Sequence, residues 1–252
     1  MIRVLVKQGR GLLAVVALLA IAVAACSSGG GPNPSGSNPG GGGTDQPGAS
    51  GGGLASGLSA NLSTLDSYKF SWSFAGLDSA SPSDTGSGVS ISGTVVNKPT
   101  KASMVNVGDA QYITIGTAQW ISSDNGATWM ASPISVPIET YLPTADYALW
   151  FDAFAQNYKQ IGSDKKNNVD CIHLQGDLSA MSMLMAQYGG VADMHADLWI
   201  AKSGNYPVSG SIGFSYATGT SAGTLAYTFD ITNVNDASNK VEKPSNITEL
   251  PS

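Results

Sequence analysis

Tyr68, Phe70, Trp72 and Phe74 alternate with Lys69, Ser71 and Ser73, a period of two that places four aromatic rings on one face of a single strand. The same pattern returns late in the chain, where Leu225, Tyr227, Phe229 and Ile231 share one face of a run over 224–235. Between these runs, segments 89–97, 101–107, 111–115 and 119–122 read as strands, and Asp124-Asn125-Gly126 is a hairpin signal ahead of Thr128-Trp129-Met130. Segments 159–162, 169–175, 195–202 and 208–217 complete the strands, with turns at Ser203-Gly204-Asn205 and across 219–223.

Three stretches carry a helical period instead. Leu54, Leu58, Leu62 and Leu65 recur at helical spacing and predict a short amphipathic helix at the start. Thr144 can cap a second, which sets Tyr147, Trp150, Phe151, Phe154 and Tyr158 on one face, with Asp146 and Asp152 placed well for its dipole. Asp177 can cap a third, carrying Met181, Leu184, Met185 and Tyr188 and ending at Gly189-Gly190. Pro133, Pro137 and Pro143 mark the stretch before the second helix as loop, since proline cannot donate to a ladder. The order predicts an α+β fold: one long antiparallel sheet of about 11 strands packed on helices.

The ends of the chain read differently. Arg3 to Arg10 is a basic stretch, followed by an apolar run from Leu12 to Ala25, the layout of a secretion signal. A spanning helix needs about 20 apolar residues, and this run is shorter. Val23-Ala24-Ala25-Cys26 resembles a bacterial lipobox, and the resemblance implies that Cys26 is acylated and becomes the first mature residue. An ordinary signal peptide with an unrelated cysteine is the alternative. Residues 27–53, almost all Gly, Ser, Pro and Asn, favour lipidation because they form the tether that an anchored domain needs, reaching about 30 Å on average. The expected organisation is therefore signal peptide 1–25, lipidated Cys26 and tether 26–53, a folded domain 54–235, and a loose tail 236–252 marked by Pro244 and Pro251.

Charge narrows the partners. The formal net charge of −6 falls to about −9 once Arg3, Lys7 and Arg10 are removed, and no basic stripe exists to neutralise phosphates. Nucleic acid is excluded as an expected partner. Acylation would consume Cys26 and leave Cys171 without an intramolecular partner, so Cys171 reads as a small buried hydrophobe within a strand.

Catalytic patterns are sparse, and no enzyme activity is expected. Gly219-Thr220-Ser221-Ala222-Gly223 fits the G-x-S-x-G elbow of serine hydrolases, but so does Gly48-Ala49-Ser50-Gly51-Gly52 in the tether. An elbow joins a strand to a helix and precedes its histidine, whereas strands flank this match and both His173 and His195 lie upstream. The two histidines fall in different strands without paired-cysteine or H-E-x-x-H spacing, and Asp193 and Asp197 beside His195 read as a solvated edge. No metal and no cofactor are expected.

Leu65-Asp66-Ser67-Tyr68-Lys69-Phe70, Gln119-Trp120-Ile121 and Asp197-Leu198-Trp199-Ile200-Ala201-Lys202-Ser203-Gly204, in this element order, resemble the mycobacterial-type lipoproteins of the LppX and LprG group, and behind them the outer-membrane lipoprotein carrier (LolA-like) fold. The resemblance implies a large curved antiparallel sheet, an open half-barrel, that with its helices encloses an apolar cavity for lipid or another hydrophobic ligand. The candidate lining is Phe70, Trp72, Phe74, Trp150, Phe151, Phe154, Met181, Met183, Met185, Tyr227 and Phe229, with unbranched methionines suited to variable acyl chains. Ordinary core is the competing reading of each of these. The function expected is a monomeric, membrane-anchored, extracytoplasmic lipoprotein of the cell envelope that binds or transfers lipid. The segment 131–143 is a candidate lid. A sensory or protein-binding lipoprotein of the same fold is the alternative.

Overall fold

The computed structural model describes residues 52–75, 89–132, 141–143, 152–179, 191–218 and 221–248, all within one compact unit, Asp45–Ser252. The signal, Cys26 and most of the expected tether lie outside these residues.

The aromatic strand β1 (Ser67–Ala75) stands inside a single 12-stranded sheet. On one side of it the chain meanders outward through β2 (Val89–Val96), β3 (Ala102–Val107), β4 (Ala110–Ile115), β5 (Ala118–Ser122) and β6 (Trp129–Ala131). On the other side the chain approaches from the far edge through β7 (Tyr158–Lys166), β8 (Val169–Asp177), β9 (Val191–Ala201), β10 (Pro207–Thr218) and β11 (Ser221–Thr232), and β11 closes against β1. All these pairings are antiparallel; a two-residue strand β12 (Ile247–Thr248) adds to β6 in parallel. β7 and β12 are the two edges, so the sheet is open, as the resemblance implied.

Turn chemistry explains the register. Asn167 and Asn168 both adopt positive φ (51° and 65°) between β7 and β8, the handedness that matches strand twist in a two-residue hairpin. Asn125 and Gly126 do the same between β5 and β6, where the Ser122 hydroxyl accepts from the Gly126 backbone N–H at 2.9 Å. Asn233 and Asn235, also at positive φ, end β11. The Asn235 carboxamide oxygen then accepts from the Asp66 and Ser67 backbone N–H groups at the base of β1.

The first predicted helix divides in two. α1 (Gly52–Ala55) and α2 (Leu58–Thr64) are separated at Gly57, whose φ of 72° is left-handed and breaks the helical path. Leu58 and Leu62, one turn apart, are fully buried, and α2 packs against β10 while α1 packs against β7. The Asn97 amide donates to the carbonyls of Leu62 (3.3 Å) and Leu65 (2.8 Å), supplying donors that the helix end lacks.

Four expectations need correction. Tyr158 belongs to β7, not to a helix: it pairs with Gly176, and its ring covers the space a Cβ would fill there. Of the helix expected over 144–158, the described part, Asp152–Asn157, is a 3₁₀ turn leading straight into that strand. β11 begins at Ser221, which pairs with Thr218, so the connection is two residues long and not 219–223. Finally, the tail is not loose as far as Thr248. Val241 and Ile247 pack on a cluster of Ile113, Trp120 and Trp129, and β12 pairs with β6. Proline spacing signalled a chain without its own regular structure, but apolar side chains on the sheet gave that chain something to bind.

Candidate ligand-binding face

Alternation along each strand and the register between strands divide the sheet into two faces. Trp72 sits opposite Phe229 on β11 and Ile91 on β2, while Phe74 sits opposite Tyr227. From Tyr227 the same face runs to Ile212 on β10 and Ala196 on β9, and beside these Leu198 leads to Leu174 on β8 and Gln160 on β7. In the other direction it runs through Val107 and Val105 on β3 to Tyr112 on β4 and Ile121 on β5. This apolar face crosses the whole meander and carries no charged side chain among the described residues at these positions.

Aromatic rings dominate its centre. Phe74 lies edge-on to Trp72 with centroids 5.4 Å apart, and Tyr227 is 4.8 Å from Phe74 and 6.3 Å from Phe229. The Phe70 ring lies over Gly93, where any Cβ would strike it. Burial keeps Tyr68 and Tyr158 un-ionised, pushing both hydroxyls well above the ordinary tyrosine range.

Burial is uneven along the strands. At the end of β1 near α2, Tyr68, Phe70, Val95, Val208 and Ile231 are all closed off from solvent. Toward the other end Phe74, Phe214 and Leu225 are only half-buried, and out toward the β6 side of the sheet Tyr112 is half-buried and Met130 is 45% exposed. Tyr141, which falls between β6 and β7 in the chain, lies over this face: its carbonyl accepts from Trp72 Nε1 at 3.4 Å, and its ring stacks 6.4 Å from Tyr112. Tyr141 belongs to the stretch 131–143 that sequence marked as a candidate lid.

The structure thus brings Phe70, Trp72, Phe74, Tyr227 and Phe229 together on one face, four of them buried and Phe74 half-buried. Phe154 lies in the 3₁₀ turn with its side chain outside the described residues, and Trp150, Phe151, Met181, Met183 and Met185 are outside them altogether. Asp177 Oδ1 accepts from the Ser179 backbone N–H at 3.0 Å, the bond expected of a helix cap, although the helix it would open is not described. Sequence reading missed Gln160, a nearly fully buried amide on this face; its position two residues from Tyr158 in an alternating strand was the available signal.

The opposite face is polar over β1, β10 and β11, with Ser71, Ser73, Ser211 and Thr228 outward and Ser73 Oγ 2.9 Å from Thr228 Oγ1. His173 stands there: its Nε2 is 2.9 Å from Asp197 Oδ1, and its ring stacks on Trp199 at 4.3 Å, with Lys166 Nζ 4.6 Å from that indole. Ser221 lies in a strand paired with another strand, so the G-x-S-x-G match has no elbow geometry. No group of three metal-ligating side chains occurs among the described residues. Cys171 is fully buried and its thiol is pushed up by burial, as expected of a structural cysteine.

An open, almost wholly antiparallel sheet with one apolar face defines the class of this domain. Solved structures to which the chain is similar include the Mycobacterium tuberculosis lipoprotein LppX (16% identity, covering 73% of this chain and 98% of that one, TM-score 0.39) and a LolA-superfamily protein from Nitrosomonas europaea (11%, 77% and 94%, TM-score 0.23). A third is a DUF1329 family protein from Desulfovibrio piger (11%, 75% and 93%, TM-score 0.24). No protein-family model and no curated protein matches the chain.

Proposed function

We propose that this protein is an extracytoplasmic lipoprotein, anchored through Cys26, whose folded domain binds lipid or another hydrophobic ligand and carries it beside the membrane. One observation supports this reading above the others: a single uncharged, aromatic face extends across both halves of the sheet, closed at the α2 end and half-exposed at the other. A soluble domain rarely leaves contiguous apolar surface in water without a partner for it. A lipid with about 30 methylenes would cost on the order of 20 kcal/mol to expose, so a carrier must offer an enclosing apolar surface. Phe70, Trp72, Phe74, Tyr227 and Phe229 would contact acyl chains, joined by Trp150, Phe151, Phe154 and Met181, Met183 and Met185 from the adjoining segments. Affinity would come from burial, and the chain segment through Tyr141 would cover the bound ligand.

Native mass spectrometry of protein purified gently from its own host should show co-purifying lipid, and the purified domain should take up a fluorescent fatty-acyl probe. Failure of both removes the carrier reading. The anchor is tested separately: Cys26→Ser should leave the protein out of the membrane fraction without altering probe uptake.

A further inference from the structure

Each ring nitrogen of His173 faces a carboxylate from a different strand. Nε2 is 2.9 Å from Asp197 Oδ1 on β9, and Nδ1 is 4.0 Å from Asp164 Oδ2 on β7. The backbone brings the second carboxylate there: β7 shifts register between Gln160 and Gly162, which turns Asp164 and Lys166 onto the reverse face with His173. Gly162 lies opposite the histidine, and the place of its missing Cβ has nothing within 4 Å, which leaves space beside the ring. β7 is an edge of the sheet with β8 as its one strand neighbour, and β7 and β8 carry Tyr158 and Leu174 on the apolar face. A strand held on one side only is among the parts of a sheet that open most readily.

The surrounding charges decide which form of the ring fits. From β7 come Asp164, Lys159 and Lys166, whose Nζ is 4.6 Å from the Trp199 ring. From β9 come Asp197, Trp199, on which the imidazole stacks at 4.3 Å, and His195, two residues from Asp197 on the same face. β8 itself adds Gln175, the buried thiol of Cys171 and, at its end, Asp177, and β10 places Ser211 opposite Asp197. Lys166 weighs against a charged imidazole, and the two carboxylates weigh for one. A neutral imidazole donates through one nitrogen alone, so when it satisfies Asp197 it turns a lone pair toward Asp164. An imidazolium donates through both nitrogens and stacks favourably as a cation on the indole. Only the protonated ring ties β7 to β9.

We infer that His173 is a proton-operated clasp on the open edge of the sheet: its imidazolium joins Asp197 and Asp164 across β8, holding β7 in place in acid and freeing it as the ring loses its proton. Its consequence rests on the carrier reading above, in which ligand exchange past this edge follows the same change. Hydrogen exchange of the full chain, read by mass spectrometry and corrected for the intrinsic pH dependence of exchange, compares protection of 158–166 with that of 102–115 beyond β1. From about pH 7.5 to about pH 5.5, protection of the edge should rise about threefold relative to the reference, the factor of a part-exposed ion pair. His173→Gln and Asp164→Asn should each abolish the rise, which separates His173 from His195 on the same face. Asp170→Asn, which breaks only the exposed pair with Lys165 at 3.8 Å, should keep it. Release of an ester-linked fluorescent acyl probe without a titratable group should slow over the same interval in the wild type and not in His173→Gln or Asp164→Asn. Equal edge protection at both pH values, or a rise that survives His173→Gln, overturns the clasp. A pH-dependent edge with pH-independent probe release overturns its control of the ligand. Failure to take up the probe at either pH removes the carrier reading, and exchange still decides the clasp. Asp164 is half exposed, so its variant reads the clasp even where His173→Gln fails to fold.

Discussion

Neighbouring residues on β11 show what separates the two faces of this sheet. Phe229 is 3% exposed and packs among Trp72, Gly210 and Tyr227, whereas Thr228, one residue earlier, points its hydroxyl at Ser73 on the solvent side. The apolar face is continuous from β5 to β8, but the reverse face is not uniform. Over β1, β10 and β11 it is serine and threonine, while over β3 to β6 it carries Met104, Ile113, Ile115, Trp120 and Trp129, capped by Val241 and Ile247 of the C-terminal segment. Apolar surface on the reverse face is thus covered by the protein's own chain. Apolar surface on the main face remains half-exposed at one end, around Phe74, Phe214 and Leu225. The same chemistry receives two treatments: it is covered on the reverse face and half-exposed at one end of the main face.

Truncating Phe229 should break the contrast most strongly. Phe229→Ala removes a buried ring and should destabilise the domain by about 3–5 kcal/mol, read as a shifted denaturant midpoint at unchanged slope. Thr228→Ala, on the same strand, should stay within about 0.5 kcal/mol. Comparable losses from both would mean that the faces are not energetically distinct.

Gly93→Ala tests the same face from the backbone side. An added Cβ meets the Phe70 ring at 2.7–2.8 Å and the Met104 carbonyl more closely still. Overpacking of this kind typically costs about 1–3 kcal/mol, and Phe70→Leu in the same chain should recover part of the loss.

Deleting residues 236–252 sharpens the comparison on the reverse face. Trp120 and Trp129 would lose Val241 and Ile247, and β6 would become an open edge. Each apolar side chain returned to water costs about 1.5–3 kcal/mol at full burial, so these half-buried ones should together cost about 2 kcal/mol. Tryptophan emission should shift to the red. An unchanged spectrum and midpoint would show that the segment does not hold this cover in solution.

How much of this was readable beforehand depended on the kind of signal. Alternation is a strong local rule, and it located β1, β11 and the aromatic members of the site, because one buried face leaves a period of two in the residues themselves. Whether residue 158 continues a helix or opens a strand is not local. Its outcome was fixed by Gly176, eighteen positions on in the chain and directly opposite in the register. The C-terminal segment was misread for a related reason: prolines and lysines announce an irregular chain, but Val241 and Ile247 announce docking only once Trp120 and Trp129 are known to share a face. Gln160 was hidden differently, since a single glutamine in a polar-looking stretch, Lys159-Gln160 before Gly162-Ser163-Asp164, gives no sign of burial until the face is assembled.

The smallest expected effect lies at the β5–β6 turn, outside both faces, and checks that the contrast belongs to them and not to the loops. Asp124 accepts from the Thr128 hydroxyl (2.6 Å), the Thr128 backbone N–H (2.9 Å) and the Ser122 hydroxyl (2.8 Å), and these bonds hold its carboxyl down to about 2 from an ordinary 3.8. A carboxylate depressed in the folded state contributes stability that is complete above its unfolded value and is lost as pH falls through the folded one. Asp124→Asn should therefore flatten the stability profile between about pH 4 and pH 2 while leaving ligand uptake at neutral pH unchanged. The carboxylate is fully exposed, so solvent screens its partners and the change should be small beside that of Phe229→Ala. A carboxyl titrating near 3.8 in the folded protein, measured by NMR, would remove the turn's contribution.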